Sequence, residues 1–456
     1  MSPPDRVGMS PDELKHGLAR VCSRAGLGVL AGEPQRLTGG AVMESWRFAA
    51  GGEPFVLRRA PSLAFMEGRP YGHSVEAALI EAARAKGVTV PEVVAVLEEA
   101  DGLGSGFVMR ALPGTADPKV ILACDDPAGL LKQAARDLAR IHSLRQADVP
   151  EGVPVMDYRA AIADLKQQFM DAGGDRPIIA LGLRWLEDNC PPEVEPVLNH
   201  GDYRMGNLLV EGSALAGVLD WEIAHFGDCH EDLAFGCMAV WRFARYDRPA
   251  LGLGSIEDYI AAYEAEAGVT IDPARFRFWT IYRTVWWALG CLKMAAQWRS
   301  GADRMLERVV ISRRTSEQEL DLLLLLEEAS GYGPLMPDLL FRCEWTGGLG
   351  EADIAELAIA VSEWLATIKD RMTGHDRFQL AVARNALGII ARDGRGPIDI
   401  FNDDLAEYIL GRPAAQTLAE DGMLRELRHL AIWKAQSDSP KYPALRAASQ
   451  KWIGEQ

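Results

Sequence analysis

The sequence predicts an α+β chain in three parts: a small strand-rich lobe (residues 1–108), a larger helical lobe (109–330) and an all-helical segment (331–456). Three observations predict it. Strand-type segments with a Gly-Gly turn are concentrated between about 37 and 110. Helical periodicity dominates from about 115 to 330, interrupted only at 197–220. A Gly- and Pro-rich break, "SGYGPLMP" at 330–337, is followed by helical patterns alone. At 456 residues the chain is also too long for one compact core.

In the first part, "SWRFA" and "PFVLRR" mix aromatic and β-branched residues with polar ones and are joined by a Gly-Gly turn, which reads as a hairpin. A second Gly pair, Gly39 and Gly40, lies just before it. "SVEAALIEAARAKG" reads as a helix with Ser74 as N-cap, Glu76 in the first turn and Gly87 as stop. "VPEVVAVLEE" and "GSGFVMRALPG" add two strands, the second running into a linker. In the second part, "PAGLLKQAARDLARIHSL" sets Leu130, Leu131, Ala134, Leu138 and Ile141 near helical spacing. In "VLNHGDYRMGNLLVEGSALAGVLD" two short apolar strands flank loops. "TVWWALGCLKMAAQW" and "TSEQELDLLLLLEEA" are long helices, the Trp-rich one reading as core. In the third part, Ile354, Leu357, Val361, Trp364, Leu365 and Ile368 fall on one helix face.

Composition narrows the function. The chain is 48% hydrophobic and 25% charged, as soluble globular proteins are. No apolar run approaches the roughly 18 residues of a membrane helix; "LDLLLLLEE" is short and ends in acids. The N-terminus lacks the apolar stretch of a signal peptide. A net charge of −17 argues against nucleic-acid or anionic-membrane partners. Seven single Cys without a C-x-x-C pair suit reduced thiols, so the expected location is cytoplasmic.

The chemistry is carried by "HGDYRMGN", residues 200–207, and by "DWE", which begins at Asp220. Phosphoryl transfer needs a carboxylate near the acceptor hydroxyl, oxygen ligands for Mg²⁺ and fixed positive charge on the phosphates. Asp202, Asn207 and Asp220 supply such oxygens from loops between short strands. The catalytic loop of protein kinases places its base Asp and metal-binding Asn five positions apart, as Asp202 and Asn207 are here. Arg204 then stands where those enzymes carry a Lys facing the transferred phosphate, and Asp220 takes the position of the second metal ligand. By themselves, Asp202 and Asn207 beside Gly201 and Gly206 would also suit two Asx turns.

The paired motifs "NHGDYRMGNLLV" and "GVLDWEIAHFGDCHEDLA" resemble the aminoglycoside phosphotransferase / choline kinase superfamily over roughly residues 20–330. The resemblance implies a bilobal, protein-kinase-like fold and an ATP- and Mg²⁺-dependent kinase. Asp202 would be the catalytic base, aided by Arg204. Asn207 and Asp220 would hold the metal, and His200 the loop. "LTGGAVMESWRF", with Gly39 and Gly40, resembles the family's strand–turn–strand over the ATP phosphates. The next strand should carry a Lys, but none occurs between Lys15 and Lys86. "FVLRR" puts Arg58 there, as in a branch resembling the kinase region of acyl-CoA dehydrogenase fusions, with Glu76 as its ion-pair partner. "GFVMRALPG" would be the hinge, meeting adenine near Met109 to Ala111. Asp228 and Asp232 read as a helix cap and a loop brace. His225 and His230 lack metal-ligand partners at useful spacing.

The acceptor is harder to read. Residues 231–330 hold 15 acids and 12 basic residues, among them Arg242, Arg245, Arg248, Arg299, Arg304, Arg308, Arg313 and Arg314. That mix does not suit a polycationic antibiotic and is compatible with a CoA thioester, although helix salt bridges would explain it as well. The tail, through "FQLAVARNALGIIARD", resembles a small helical partner of such kinases. A similar partner accompanies the kinase of bacterial levulinate catabolism, which acts on a 4-hydroxyacyl-CoA. Mid-helix Asn385, seven after Phe378, reads as a buried, satisfied amide or as a polar contact to the kinase lobe or its substrate. The leading expectation is a hydroxyacyl-CoA kinase, with a homodimer as the candidate assembly. The alternatives are an aminoglycoside-, choline- or macrolide-type kinase, and an inactive pseudokinase that binds nucleotide or scaffolds an acyl-CoA enzyme.

Overall fold

The computed structural model describes residues 9–37, 43–61, 63–331, 354–393 and 402–454. Gly39 and Gly40 lie outside the described residues. The architecture is the expected one: a small antiparallel β lobe, a helical lobe and further C-terminal helices. Among the described residues, contacts divide the chain into two compact units, 4–157 with 193–276, and 158–192 with 277–456. The sequence boundary near 330 therefore falls inside the latter unit.

In the unit built from 4–157 and 193–276, five strands are β1 (Leu30–Arg36), β2 (Glu44–Ala50), β3 (Glu53–Arg59), β4 (Val93–Val96) and β5 (Gly106–Arg110). They form one antiparallel sheet in the order β1-β2-β3-β5-β4. Gly51 and Gly52 close the β2–β3 hairpin with φ of 59° and 91°, the two positive values that a type I′ turn requires. Phe55 and Leu57 point into a core with Leu14, Leu18 and Val21 of helix Pro11–Arg24. Because side chains alternate along a strand, Arg58 is turned to the opposite face, toward the site. Helix Pro11–Arg24 was not anticipated, though "SPDE" announces it. Ser10 Oγ accepts the Glu13 N–H at 3.2 Å and the Ser10 N–H donates to Glu13 Oε2 at 2.8 Å, a reciprocal cap. The next helix, His73–Ala85, is capped by extended Gly72 rather than Ser74, which lies in its first turn.

Helix Pro127–His142 starts at Asp126, whose carboxylate accepts the Gly129 N–H at 2.8 Å. Leu130, Leu131, Ala134, Leu138 and Ile141 are all buried, as their spacing predicts. Residues 197–220 hold three short strands rather than two, and a fourth follows at 225–227. β6 (Val197–Asn199) pairs with β9 (His225–Gly227), and β7 (Leu208–Glu211) pairs with β8 (Ala214–Val218). These pairs pin both ends of the loops that carry the motifs.

The other unit is helical, and helix Thr315–Ser330 is its polar spine. Four of its acids are buried and bonded: Glu317 to Arg314 and Ser439, Glu319 to Arg176, Asp321 to Tyr442, and Glu327 to Arg428, Lys451 and Trp452. Several partners lie beyond residue 420, which is why no unit boundary falls at 330. Ile354, Leu357, Val361 and Trp364 do share a face, but that face is exposed, Trp364 at 61%. The side turned inward carries Ala358 and half-buried Leu365. Asn385 is exposed rather than buried. Its neighbour Arg384 donates Nε to the Ser362 carbonyl at 3.1 Å, tying helices Ile354–Thr367 and Gly374–Asp393 together. Among the described residues no helix is long and apolar enough to cross a membrane.

Candidate functional site

The loop 200–207 is suspended from a buried carboxylate. Asp232 accepts the backbone N–H of His200 at 2.6 Å and of Gly201 at 2.9 Å, and His142 Nε2 lies 3.3 Å from it. Gly201 has φ 83°, and a Cβ there would fall 2.5 Å from the Ile223 carbonyl oxygen, so only Gly fits. His200 Nδ1 accepts the Asp202 N–H at 3.2 Å, while Nε2 faces the Leu219 carbonyl at 3.1 Å. A backbone donor on one side and a carbonyl on the other dictate a neutral ring protonated at Nε2. Full burial agrees, holding the His200 pKa below its ordinary value. Replacing Asp232 by Ala orphans two buried backbone N–H groups. We expect a loss of about 2–5 kcal/mol in stability together with a lower kcat, read by thermal melting and ADP release.

Asn207 Nδ2 donates to Asp202 Oδ2 at 2.6 Å and to the Asp202 carbonyl at 2.9 Å. Two acceptors fix the amide's orientation, so Oδ1 faces away, and among the described residues it accepts no hydrogen bond. The Asn207 carbonyl accepts the Leu219 N–H at 2.9 Å, which sets Asp220 beside it. Asp220 has φ 71°, a left-handed conformation costing a non-Gly residue about 1–2 kcal/mol. It is held from both sides: Trp221 is fully buried, and its carbonyl accepts the Tyr71 hydroxyl at 2.5 Å. Strain of this kind, enforced by its surroundings, is typical of functional positions. The outward Asn207 oxygen and the Asp220 carboxylate form a hard-oxygen donor set that fits Mg²⁺.

Arg58 gathers the remaining charges. Its Nε lies 3.1 Å from Glu76 Oε1, and its Nη2 lies 2.5 Å from Asp220 Oδ1 and 2.7 Å from Glu222 Oε2. The Arg58–Glu76 pair expected from the sequence is thus formed. Burial opposes the Arg58 charge, but Asp220, Glu76 and Glu222 outweigh it and raise its pKa. Burial raises Glu76 to about 7 against the pull of Arg58, with Asp220 and Glu222 adding to the rise. Burial would also raise Asp220, but Arg58 holds it below its ordinary value. Asp202 is raised by burial, with Arg204 opposing from 2.8 Å. Glu222 and Arg69, which pair at 3.0 Å, were missed. The second carboxylate in "DWE" was an available signal for Glu222; Arg69, in an irregular loop, gave none.

Met109 lies within β5 between Val56 of β3 and Val93 of β4. The Ala111 N–H is donated to the Pro54 carbonyl at 3.0 Å. Asp228 caps helix Cys229–Cys237 through the His230 N–H at 3.1 Å and receives Arg275 at 2.7 Å. The ligating atoms of Asp228, Cys229 and His230 lie within 4.8 Å of one another, closer than their spacing suggested. Both His230 ring nitrogens are nevertheless engaged, Nδ1 with Asp228 at 2.5 Å and Nε2 with the Asp272 N–H at 2.9 Å, so the cluster is a structural knot.

Residues 33–279 match the model of a family described as the phosphotransferase enzyme family. Acyl-CoA dehydrogenase family member 10 of Mus musculus is 27% identical over 235 residues, which is 47% of this chain and 22% of that protein. Hygromycin-B 4-O-kinase of Escherichia coli is 28% identical over 220 residues, 44% of this chain and 60% of that enzyme. The chain thus matches less than two thirds of the length of either relative. A crystal structure of an aminoglycoside-phosphotransferase-type protein from Ralstonia eutropha shares the fold, with a TM-score of 0.57 and 19% identity over 68% of this chain and 98% of that one.

Proposed function

The chain belongs to the phosphotransferase enzyme family, and on that premise we propose that it transfers the γ-phosphoryl group of ATP to a hydroxyl of a small molecule. The observation that carries this reading is the bonded set Asp202–Asn207 with Asp220–Arg58–Glu76. Asp202 takes the acceptor's proton as the acceptor oxygen attacks phosphorus; a half-buried carboxylate with a raised pKa is suited to that task. Asn207 Oδ1 and Asp220 would hold Mg²⁺, with Glu222 close by. Mg²⁺ when bound would neutralise charge on the phosphates. Arg58, kept in place by Glu76, faces the phosphates from β3, and Arg204 faces the group in transfer. Gly39 and Gly40 would cover the phosphates, and backbone groups from Met109 to Ala111 would meet adenine. An inactive, nucleotide-binding role is disfavoured by the intact set of Asp202, Asn207 and Asp220.

For the acceptor we favour a 4-hydroxyacyl-CoA. Its support is the similarity to the acyl-CoA dehydrogenase family member and the Arg58 that replaces the usual Lys. The clustered arginines do not add to it. Arg245 and Arg248 face Asp247, Arg308 pairs with Asp303, Arg314 with Glu317 and Arg313 with Asp438, while Arg242 donates to the Cys237 carbonyl. An aminoglycoside-type acceptor is the second reading, favoured by the likeness to the hygromycin kinase. With Mg-ATP, 4-hydroxypentanoyl-CoA is expected to release ADP at least about 10-fold faster than hygromycin B at equal concentration, a margin that a pocket built for one acceptor supplies. The reverse order would move the assignment to the antibiotic class.

A further inference from the structure

Arg204 does not lie free on the surface as a long loop cation would. Its Nε donates to Asp202 Oδ1 at 2.8 Å, and its guanidinium carbon sits 4.5 Å from the centroid of the Trp241 ring. A Cβ built on Gly206 would fall 2.3 Å from its Nη1. An aromatic face and a missing side chain together define a slot for the guanidinium. Trp241 is itself fixed. Its ring packs 5.6 Å from that of Phe235, on the helix whose Asp232 suspends the catalytic loop. The segment that follows holds Phe243, Ala244 and Leu251 at φ of 45°, 70° and 52°. Such conformations persist only where the surroundings enforce them. Here Arg242 donates to the Cys237 carbonyl at 2.8 Å and the Leu251 N–H to the Gly236 carbonyl at 3.0 Å. Gly252 lies so close to the catalytic loop that a Cβ would be 2.9 Å from Met205 Cε.

We propose that Trp241 and Gly206 are positioning residues that clamp Arg204, keeping its Nε on Asp202 and presenting its two terminal nitrogens to the phosphoryl group in transfer. The proposal rests on the phosphotransfer reading and adds to it the two residues that make Arg204 effective. A guanidinium is a planar fork of five N–H donors, so with Nε engaged both terminal nitrogens remain for an anion. A donor fixed before the reaction stabilises developing charge without reorganising. Stacking on Trp removes the rotamer freedom that would otherwise blur that aim.

A double-mutant cycle tests it. ADP release is measured with 4-hydroxypentanoyl-CoA and with water alone, giving kcat and the KM for ATP. Arg204→Met should lower kcat about 100-fold. Trp241→Leu and Gly206→Ala should each lower it about 10-fold, with the KM for ATP within about twofold. Trp241→Phe should recover most of the loss. Trp241→Leu should cost nothing further in the Arg204→Met background, since it acts only through Arg204. Gly206→Ala is the variant least exposed to misfolding, because Gly206 has no positive φ and the atom displaced is the end of a flexible side chain. Wild-type kcat in Gly206→Ala, or additive losses in the cycle, would overturn the clamp. Wild-type kcat in Arg204→Met would remove the role of Arg204 beneath it, and a wild type that releases no ADP with 4-hydroxypentanoyl-CoA, hygromycin B or water would overturn the phosphotransfer reading as well.

Discussion

Asp202→Asn is expected to lower kcat about 1,000-fold while changing the affinity for ATP by less than about threefold. The substitution keeps the shape of the side chain, and the Asp202 carbonyl still anchors Asn207 Nδ2 at 2.9 Å. What it removes is the carboxylate oxygen that, on the proposed assignment, takes the acceptor's proton. The Asp220, Arg58 and Glu76 set stays bonded as before, so nucleotide binding has no reason to weaken. The measurement is steady-state ADP release beside equilibrium ATP binding. A kcat within about threefold of wild type would take the base assignment from Asp202. A parallel loss of ATP affinity would mean that Asp202 shapes the nucleotide site instead.

The legible part of this site is the part written in short-range spacing. Asp202 and Asn207 stand five apart in one loop, and the structure joins them directly at 2.6 Å. Arg58 could be aimed because alternation along β3 sends Leu57 and Arg59 to one face and Arg58 to the other. Glu76 followed from its place in the first turn of the next helix. Trp241 could not be read in this way. It meets Arg204 across more than 30 residues of chain, 4.5 Å from ring centroid to guanidinium carbon, and nothing in the spacing of residues 239–252 encodes that contact. Arg69 is of the same kind, reaching Glu222 across about 150 residues of chain. Glu222 differs, since its position two after Asp220 was in plain view.

The helix Thr315–Ser330 is a case where local pattern misleads. In "LDLLLLLEE" the acids look like solvated ends of an apolar run, yet Glu327 is fully buried. Whether a carboxylate can be buried depends on the cations that meet it, and those stand about 100 residues further on. For the same reason a division at 330, sensible from the Gly- and Pro-rich break, cuts through a shared core. The tail from Asp421 to Ile453 completes the polar pairing of this helix, whatever else it contributes.

Glu327→Ala is accordingly expected to cost about 3–5 kcal/mol, seen as a fall in melting temperature on the order of 10 °C. Glu327 Oε1 accepts from Arg428 Nε at 2.7 Å, and Oε2 from Trp452 Nε1 at 2.9 Å and Lys451 Nζ at 3.0 Å. Arg428 is itself only 4% exposed, so removing the acid leaves a guanidinium in the interior without a counter-charge. That stranded charge, more than the lost attraction, is the large term, because a buried pair barely exceeds the desolvation it requires. The double variant Glu327→Leu with Arg428→Leu should therefore recover more than half of the loss. Scanning calorimetry on the full chain reads both. A fall under about 2 °C for the single variant would mean that apolar packing alone joins the tail to this helix. An equal loss in the double variant would assign the effect to a cavity rather than to charge.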